Sequence, residues 1–330
     1  MKTIRIIVII ISILVIFFLI GPRQKTPKLS LKIIDTLPHK LTEIQSFVNK
    51  REAKLKNLKP GNGSVFIWAN PDSISQTEYS FVYLHGFSAC PAEGNGIYPA
   101  LAERYKANVY VPRLHAHGIK SDDELLDFDV EKYWESALEA YLIGKKIGKK
   151  VILVGTSTGG TLALMLAAHY KDIAALILYS PNIELYDKTA NLLTLPWGLQ
   201  LARIAMGGKY YSWEASPEKK PYWNTKYRLE AMIRMKKMLD EFMTPETFQK
   251  VKIPVFVGYY FKNEEECDHT ISVPAVIKMF DELGTPAELK ERVAFPNGGG
   301  HVMTFAPTSH NLANLQSTTF KFLDDKVFNK

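Results

Sequence analysis

From residue 64 onward, short apolar runs alternate with longer segments whose apolar positions recur every three or four residues. The runs SVFIWAN (64–70), YSFVYLHG (79–86), NVYVPRL (108–114), KVILVG (150–155), AALILYS (174–180), IPVFVGYYF (253–261) and LKERVAFP (289–296) read as strands. Val151–Val154 has no polar position at all, as expected of a strand covered on both faces. Helical periodicity fills 97–106, 129–147, 158–170, 272–284 and 309–328. Strands separated by helices of ten or more residues pair in parallel through right-handed crossovers. The pattern therefore predicts an α/β chain with a doubly wound, mostly parallel sheet.

Two regions break the rhythm. Residues 184–250 are rich in Leu, Trp, Tyr and Met and contain no good strand, which predicts an inserted helical cap between two core segments, 64–183 and 251–330. At the start of the chain, IRIIVIIISILVIFFLIG (Ile4–Gly21) is almost unbroken hydrocarbon headed by Lys2 and Arg5. At about 1.5 Å per residue it reaches roughly 25 Å, short for a bilayer core but workable with local adjustment. Leu19 and Gly21 would stand at −3 and −1 of a cleavage site with Pro22 after the cut, a poor fit to a removable signal peptide. The expectation is an uncleaved transmembrane helix over 1–21, with a cleaved signal or a buried helix as alternatives. Residues 22–63 read as a basic linker and one amphipathic helix, in which Leu41, Ile44, Phe47 and Val48 share a face.

Charge changes the picture only at this end. The formal net charge is +7, yet residues 1–60 carry twelve Lys/Arg against three acids, which leaves −2 on residues 61–330. A basic nucleic-acid face on the folded part is thereby disfavoured. Arg23, Lys25, Lys28 and Lys32 would instead lie against anionic head groups, making a membrane the expected partner. The short charged head is that of an export signal and places the folded domain on the exported, periplasmic or extracytoplasmic side. The count of flanking basic residues leans slightly the other way.

The candidate chemistry begins at Gly155-Thr156-Ser157-Thr158-Gly159, a Gly-x-Ser-x-Gly sequence where an apolar strand gives way to an Ala/Leu/Met-rich helix. Small flanks are needed when a serine sits on a tight, strained strand-to-helix turn. A serine hydroxyl is a poor nucleophile near neutral pH and needs a base, a group orienting that base, and oxyanion donors. Downstream histidines are His169, His269, His301 and His310. His169 lies about three turns along the serine's own helix, and His310 begins the last helix. His301 follows FPNGGG just after the last strand, where glycines allow a sharp loop, and is the candidate base. The orienting acid should follow the preceding strand. Asp268 is the last acid before helical periodicity resumes, whereas Glu264 to Glu266 read as a solvated charge run. Backbone donors are expected at Thr158, at the helix N-terminus, and at Phe87 in LHGFSAC, where a preceding glycine permits the turn. His85 reads as a residue that holds this loop by hydrogen bonds.

HGFSA, PRLHAHG, GTSTGG, the Asp268-x-x-x-Ser segment and GGGH, in that order, resemble the α/β-hydrolase superfamily, in its monoacylglycerol-lipase and carboxylesterase-like (serine aminopeptidase-like) branch. The resemblance spans about residues 64–328 and implies an α/β-hydrolase fold and a serine hydrolase acting on small-molecule or lipid esters without a cofactor, which the apolar N-terminal run would anchor to a membrane. It implies a Ser157–His301–Asp268 triad, an oxyanion hole from Phe87 and Thr158, and His85 and His117 beside the acyl pocket. His115-x-His117 is accordingly not read as a metal site. The acid loop is longer than the family pattern, which leaves Glu266 as an alternative to Asp268. The chain has two cysteines, Cys90 and Cys267. Their spacing excludes a Cys-rich zinc site, and the implied architecture brings both to one sheet edge, where a disulfide is possible in an exported domain. Aminopeptidase, thioesterase and acyltransferase activities share the triad. A binding module on an inactive hydrolase scaffold is the remaining alternative.

Overall fold

The computed structural model describes residues 2–32 and 36–328; Met1, 33–35 and 329–330, which fall in the expected anchor, linker and core segments, lie outside the described residues. The strands are β1 (Val65–Ile67), β2 (Thr77–Leu84), β3 (Asn108–Val111), β4 (Gly148–Thr156), β5 (Ile173–Tyr179), β6 (Tyr210–Ser212), β7 (Lys226–Arg228), β8 (Val255–Tyr259) and β9 (Lys290–Ala294). Among the described residues, seven of these form one sheet in the order β1-β3-β2-β4-β5-β8-β9. β1 runs antiparallel to β3 and every other pairing is parallel. Each of the seven expected strand runs supplies one of these strands.

The helices are α1 (Lys2–Leu19), α2 (Leu41–Glu52), α3 (Tyr98–Tyr105), α4 (Val130–Ile147), α5 (Thr158–His169), α6 (Gly198–Ala205), α7 (Leu229–Phe242), α8 (Pro245–Lys250), α9 (Val273–Glu282) and α10 (Leu312–Leu323). Helices cover both faces of the sheet, and this explains the unbroken apolar strands. Val151, Leu153, Leu176, Leu178, Val255 and Val257 pack with residues of α4, α5 and α9. Their neighbours Ile152, Val154, Ala175, Ile177 and Phe256 point the opposite way, toward α3 and α10. Alternate side chains thus enter two different cores, so neither set of positions can be polar. Each fully buried Val, Leu or Ile contributes about 1.5–3 kcal/mol relative to its exposed state.

The N-terminal region departs from expectation. No helix among the described residues is long and apolar enough to cross a membrane. α1 has eighteen residues, about 27 Å of helix against the roughly 20 residues a span requires. The transmembrane anchor, the membrane as partner through this helix and its basic flank, and the exported placement that depended on them are therefore not upheld. The helix ends against the inserted segment: Phe17 stacks on Trp197 at 4.8 Å, and Trp197 Nε1 donates to Phe17 O at 3.2 Å. The segment expected as linker is docked rather than free. Trp134 Nε1 on α4 donates to Ser30 O (2.7 Å), and Arg51 on α2 pairs with Glu139 on α4 (2.5 Å). Ile44 and Val48 are buried beneath α2.

Residues 184–250 fold over the carboxyl edge of the sheet as a 3₁₀ segment (Lys188–Thr194), α6, α7 and α8, together with a ribbon of β6 and β7. The ribbon was not expected. Its strands are three residues each, too short for an alternating pattern to register, and the ring of Tyr210 lies under the cations of Lys226 (4.8 Å) and Arg228 (5.9 Å).

Candidate active site

The turn between β4 and α5 carries Ser157 at φ 53°, ψ −123°, a positive φ that non-glycine residues rarely adopt. Ser157 N donates to Tyr179 O (2.9 Å), and Ser157 O accepts from Gly160 N (2.9 Å) and Asn182 N (3.0 Å), so neighbouring backbone holds the strained residue in place. The small flanks follow from close approach. A Cβ on Gly159 would lie 1.9 Å from Leu84 O, and one on Gly155 would lie 2.6 Å from the Gly159 carbonyl carbon.

His301, on the loop after β9, places Nδ1 at 2.6 Å from Asp268 Oδ2. Asp268 lies after β8 and is buried, and its Oδ1 accepts from Thr270 N (2.9 Å) and Ile271 N (3.2 Å). Burial pushes this carboxyl up, but the His301 charge and hydrogen bond, with the two N–H donors, outweigh it and hold Asp268 below the usual carboxylate range. An ionised Asp268 leaves His301 Nε2 as the ring nitrogen available to a substrate. Glu266 is exposed and paired with Lys262 at 2.5 Å, away from His301. Ser157 and His301 line the same cavity, although no hydrogen bond joins them here.

Phe87 and Thr158 line that cavity as well. Neither backbone N–H is committed to an acceptor among the described residues. Behind Phe87 lies a buried hydrogen-bonded cluster that the sequence reading did not identify. The Tyr83 hydroxyl contacts Thr156 Oγ1 (2.7 Å) in the Ser157 turn, Thr304 Oγ1 (3.0 Å) in the His301 loop and Glu93 Oε2 (3.1 Å) after the Phe87 loop. Glu93 Oε2 also accepts from Gly86 N (2.9 Å), and Glu93 O accepts from Thr304 Oγ1 (3.1 Å). One phenol and one carboxyl thus join the three loops that carry the candidate catalytic groups. Burial raises Glu93 to about 7, opposed by the Gly86 N–H, the His301 charge, the Tyr83 hydroxyl and Lys219.

His85 and His117 do not line the cavity, and their placement beside the acyl pocket is corrected. Both are fully buried. His85 Nδ1 donates to Gly86 O (2.9 Å) and Nε2 accepts from Leu114 N (3.1 Å), while His117 Nδ1 donates to His115 O (2.7 Å). Desolvation holds His85 down to about 4 and His117 well below its ordinary value, so both are neutral supports for the loop. Cys90 and Cys267 are free thiols rather than a disulfide. Cys90 is buried in the loop that carries Phe87, where burial pushes its thiol up to about 12, and Cys267 sits beside Asp268 with Sγ against Glu264 O.

The cavity measures about 530 Å³ and lies between the inserted segment and the sheet edge. Leu192, Leu201, Met206, Met232 and Met235 make much of its wall. Apolar enclosure with a few polar groups at one place is the usual form of a small-molecule site.

The sequence profile of the alpha/beta hydrolase family matches residues 81–312. The chain belongs to that family. A Mycoplasma pneumoniae protein whose name places it among esterases and lipases is 28% identical over 104 residues, which cover 31% of this hydrolase and 38% of that protein. A structure from work on LipS and LipT, two metagenome-derived lipolytic enzymes, is similar to this hydrolase with a TM-score of 0.65 at 14% identity, covering 81% of this chain and 99% of the other. Est1E from Butyrivibrio proteoclasticus with bound ferulic acid gives 0.53 at 16% identity, covering 80% and 95%. The thioesterase domain from the curacin biosynthetic pathway gives 0.50 at 17% identity, covering 80% and 98%. At these identities the structural likeness is one of fold, which alone does not select a reaction.

Proposed function

We propose that this hydrolase cleaves carboxylic esters bearing an apolar moiety, through an acyl-enzyme on Ser157. The observation that carries the proposal is the 2.6 Å bond from His301 Nδ1 to buried Asp268, beside a largely apolar cavity that His301 shares with Ser157. Ser157 Oγ attacks the ester carbonyl while His301 Nε2 takes its proton, a contact that tightens when substrate is bound. Asp268 orients the ring and offsets the imidazolium charge. The uncommitted N–H groups of Phe87 and Thr158 receive the oxyanion; losing one such donor costs on the order of 3 kcal/mol in the barrier. The leaving alkoxide takes the proton from His301, and water activated by the same nitrogen then releases the acid and restores Ser157. Residues 64–183 and 251–330 carry this machinery, and the cap at 184–250 shapes the cavity.

Thioester cleavage would use the same groups, and acyl transfer would replace water by another acceptor. An aminopeptidase also needs a carboxylate to hold a free amine. Glu214, Glu218, Glu230 and Glu241 lie outside the cavity wall, with Glu230 bound to Arg228 and Arg203 and Glu241 to Lys237. The test is hydrolysis of 4-nitrophenyl butyrate by Ser157→Ala. Loss of turnover in a folded variant is expected, and undiminished turnover refutes the proposal.

A further inference from the structure

The wall of the cavity includes one lysine, Lys219, that ester cleavage leaves unused. Lys219 sits in a turn whose N–H groups at Lys219 and Trp223 donate to Ser216 O (3.0 Å) and Lys219 O (3.1 Å). The next residue, Asn224, donates its N–H to Ser88 O at 2.7 Å, which fastens the turn directly onto the oxyanion loop. Lys219 is half-buried, and its Nζ lies 5.8 Å from the centroid of Trp223; both residues line the cavity.

Five other lysines of the cap are ion-paired within the chain, Lys188 with Glu184, Lys209 with Asp123, Lys236 with Asp240, Lys237 with Glu241 and Lys250 with Glu246, whereas Lys220 and Lys226 are exposed to water and lie outside the cavity wall. Lys219 has no carboxylate within ion-pair distance among the described residues. The acids on the cavity wall are Glu93 and Asp187. Glu93 attracts Lys219 from a distance, but its carboxyl is engaged by Gly86 N and Tyr83. Asp187 is exposed and bonded to Thr189. An ammonium withdrawn from water in this way recovers only part of its hydration from an aromatic face, and a charged acceptor would supply more.

We propose that Lys219 is a specificity residue that binds a carboxylate or phosphate on the substrate, so that the preferred esters are amphiphiles with an apolar chain along the Leu/Met wall and an anionic end at Trp223. This rests on the ester-hydrolase proposal for the same site.

The test compares matched esters in two series. One places the anion on the alcohol: phenyl butyrate, 4-carboxyphenyl butyrate and 4-phosphonooxyphenyl butyrate. The other places it on the acyl chain: 4-nitrophenyl valerate against 4-nitrophenyl hydrogen glutarate. The readout is kcat/KM for the anionic ester divided by that for its neutral partner, so intrinsic reactivity cancels between wild type and variant. Lys219→Gln should lower this ratio about tenfold in at least one series, mainly through KM, the size expected for a charged hydrogen bond. Lys219→Arg should retain the ratio, and added salt should compress it in wild type. The carboxylate and phosphate arms identify which anion is preferred. A ratio that Lys219→Gln leaves unchanged in both series overturns the proposal. Labelling of Ser157 by a neutral fluorophosphonate is run in parallel: a wild type that fails to label sinks the hydrolase proposal, whereas normal labelling with an unchanged ratio sinks only the role of Lys219.

Discussion

Replacing Glu93 by Gln should remove a pH dependence of stability that the wild type carries. The carboxyl is fully buried, and desolvation moves it from an ordinary 4.5 to about 7 against the opposing pull of Gly86 N, His301, Tyr83 and Lys219. Below pH 4.5 the group is protonated in both folded and unfolded chains and contributes no difference. Between 4.5 and about 7 the unfolded chain releases the proton while the native state keeps it, so native stability falls as pH rises. At 1.36 kcal/mol per unit the loss reaches about 3 kcal/mol near pH 7 and is constant above it. Gln has no proton to lose and keeps an oxygen for Gly86 N–H. Urea denaturation of both proteins at pH 4.5, 6 and 7.5 isolates the effect, because other titrations largely cancel in the difference. Wild type should lose about 3 kcal/mol relative to Glu93→Gln across that range. Parallel stability curves would refute the assignment of a buried, proton-retaining carboxyl beneath the oxyanion loop.

Three further outcomes follow from the same geometry. Asp268→Asn should lower kcat by a factor on the order of 10⁴ with little change in KM, measured on 4-nitrophenyl butyrate, since the ring loses its orienting charge. Because Asp268 is held below the usual carboxylate range, its contribution to stability is present at neutral pH and lost as pH falls through its folded value, so the Asn variant should also show a flatter acid limb in denaturation. Gly159→Ala should cost about 3 kcal/mol or prevent folding, read by thermal melting, because the added methyl would meet Leu84 O at 1.9 Å. Tyr83→Phe should cost about 1 kcal/mol or more of stability by removing one hydrogen bond from each of Thr156, Thr304 and Glu93, and should lower kcat more than it raises KM.

The sheet was legible because each central strand is apolar at consecutive positions, a demand made only when helices cover both faces. The tight turn at Ser157 was legible because Gly155 and Gly159 are sites of close backbone approach, which the sequence must honour with missing side chains. Asp268 and Glu266 were harder to separate, since both follow β8. Only the fold distinguishes a carboxylate buried against His301 from one paired with Lys262 at the surface. The Tyr83–Glu93 cluster left no local signature: Tyr83 lies 73 and 221 positions from Thr156 and Thr304 along the chain. Lys219 was hidden likewise, as nothing local tells a lysine that faces a cavity from one that faces solvent. The disulfide that the resemblance left possible is not formed, because presence on the same sheet edge says nothing about sulfur-to-sulfur distance. The expected span was not upheld, because no helix among the described residues is long and apolar enough to cross a membrane.

Fluorophosphonate labelling followed by mass mapping of the modified peptide tests the central claim most directly, because it reports which hydroxyl the fold activates. The label should fall on the peptide containing Ser157, disappear in Ser157→Ala, and slow markedly in His301→Ala. A label on another residue, or one retained by Ser157→Ala at the wild-type rate, would contradict the account.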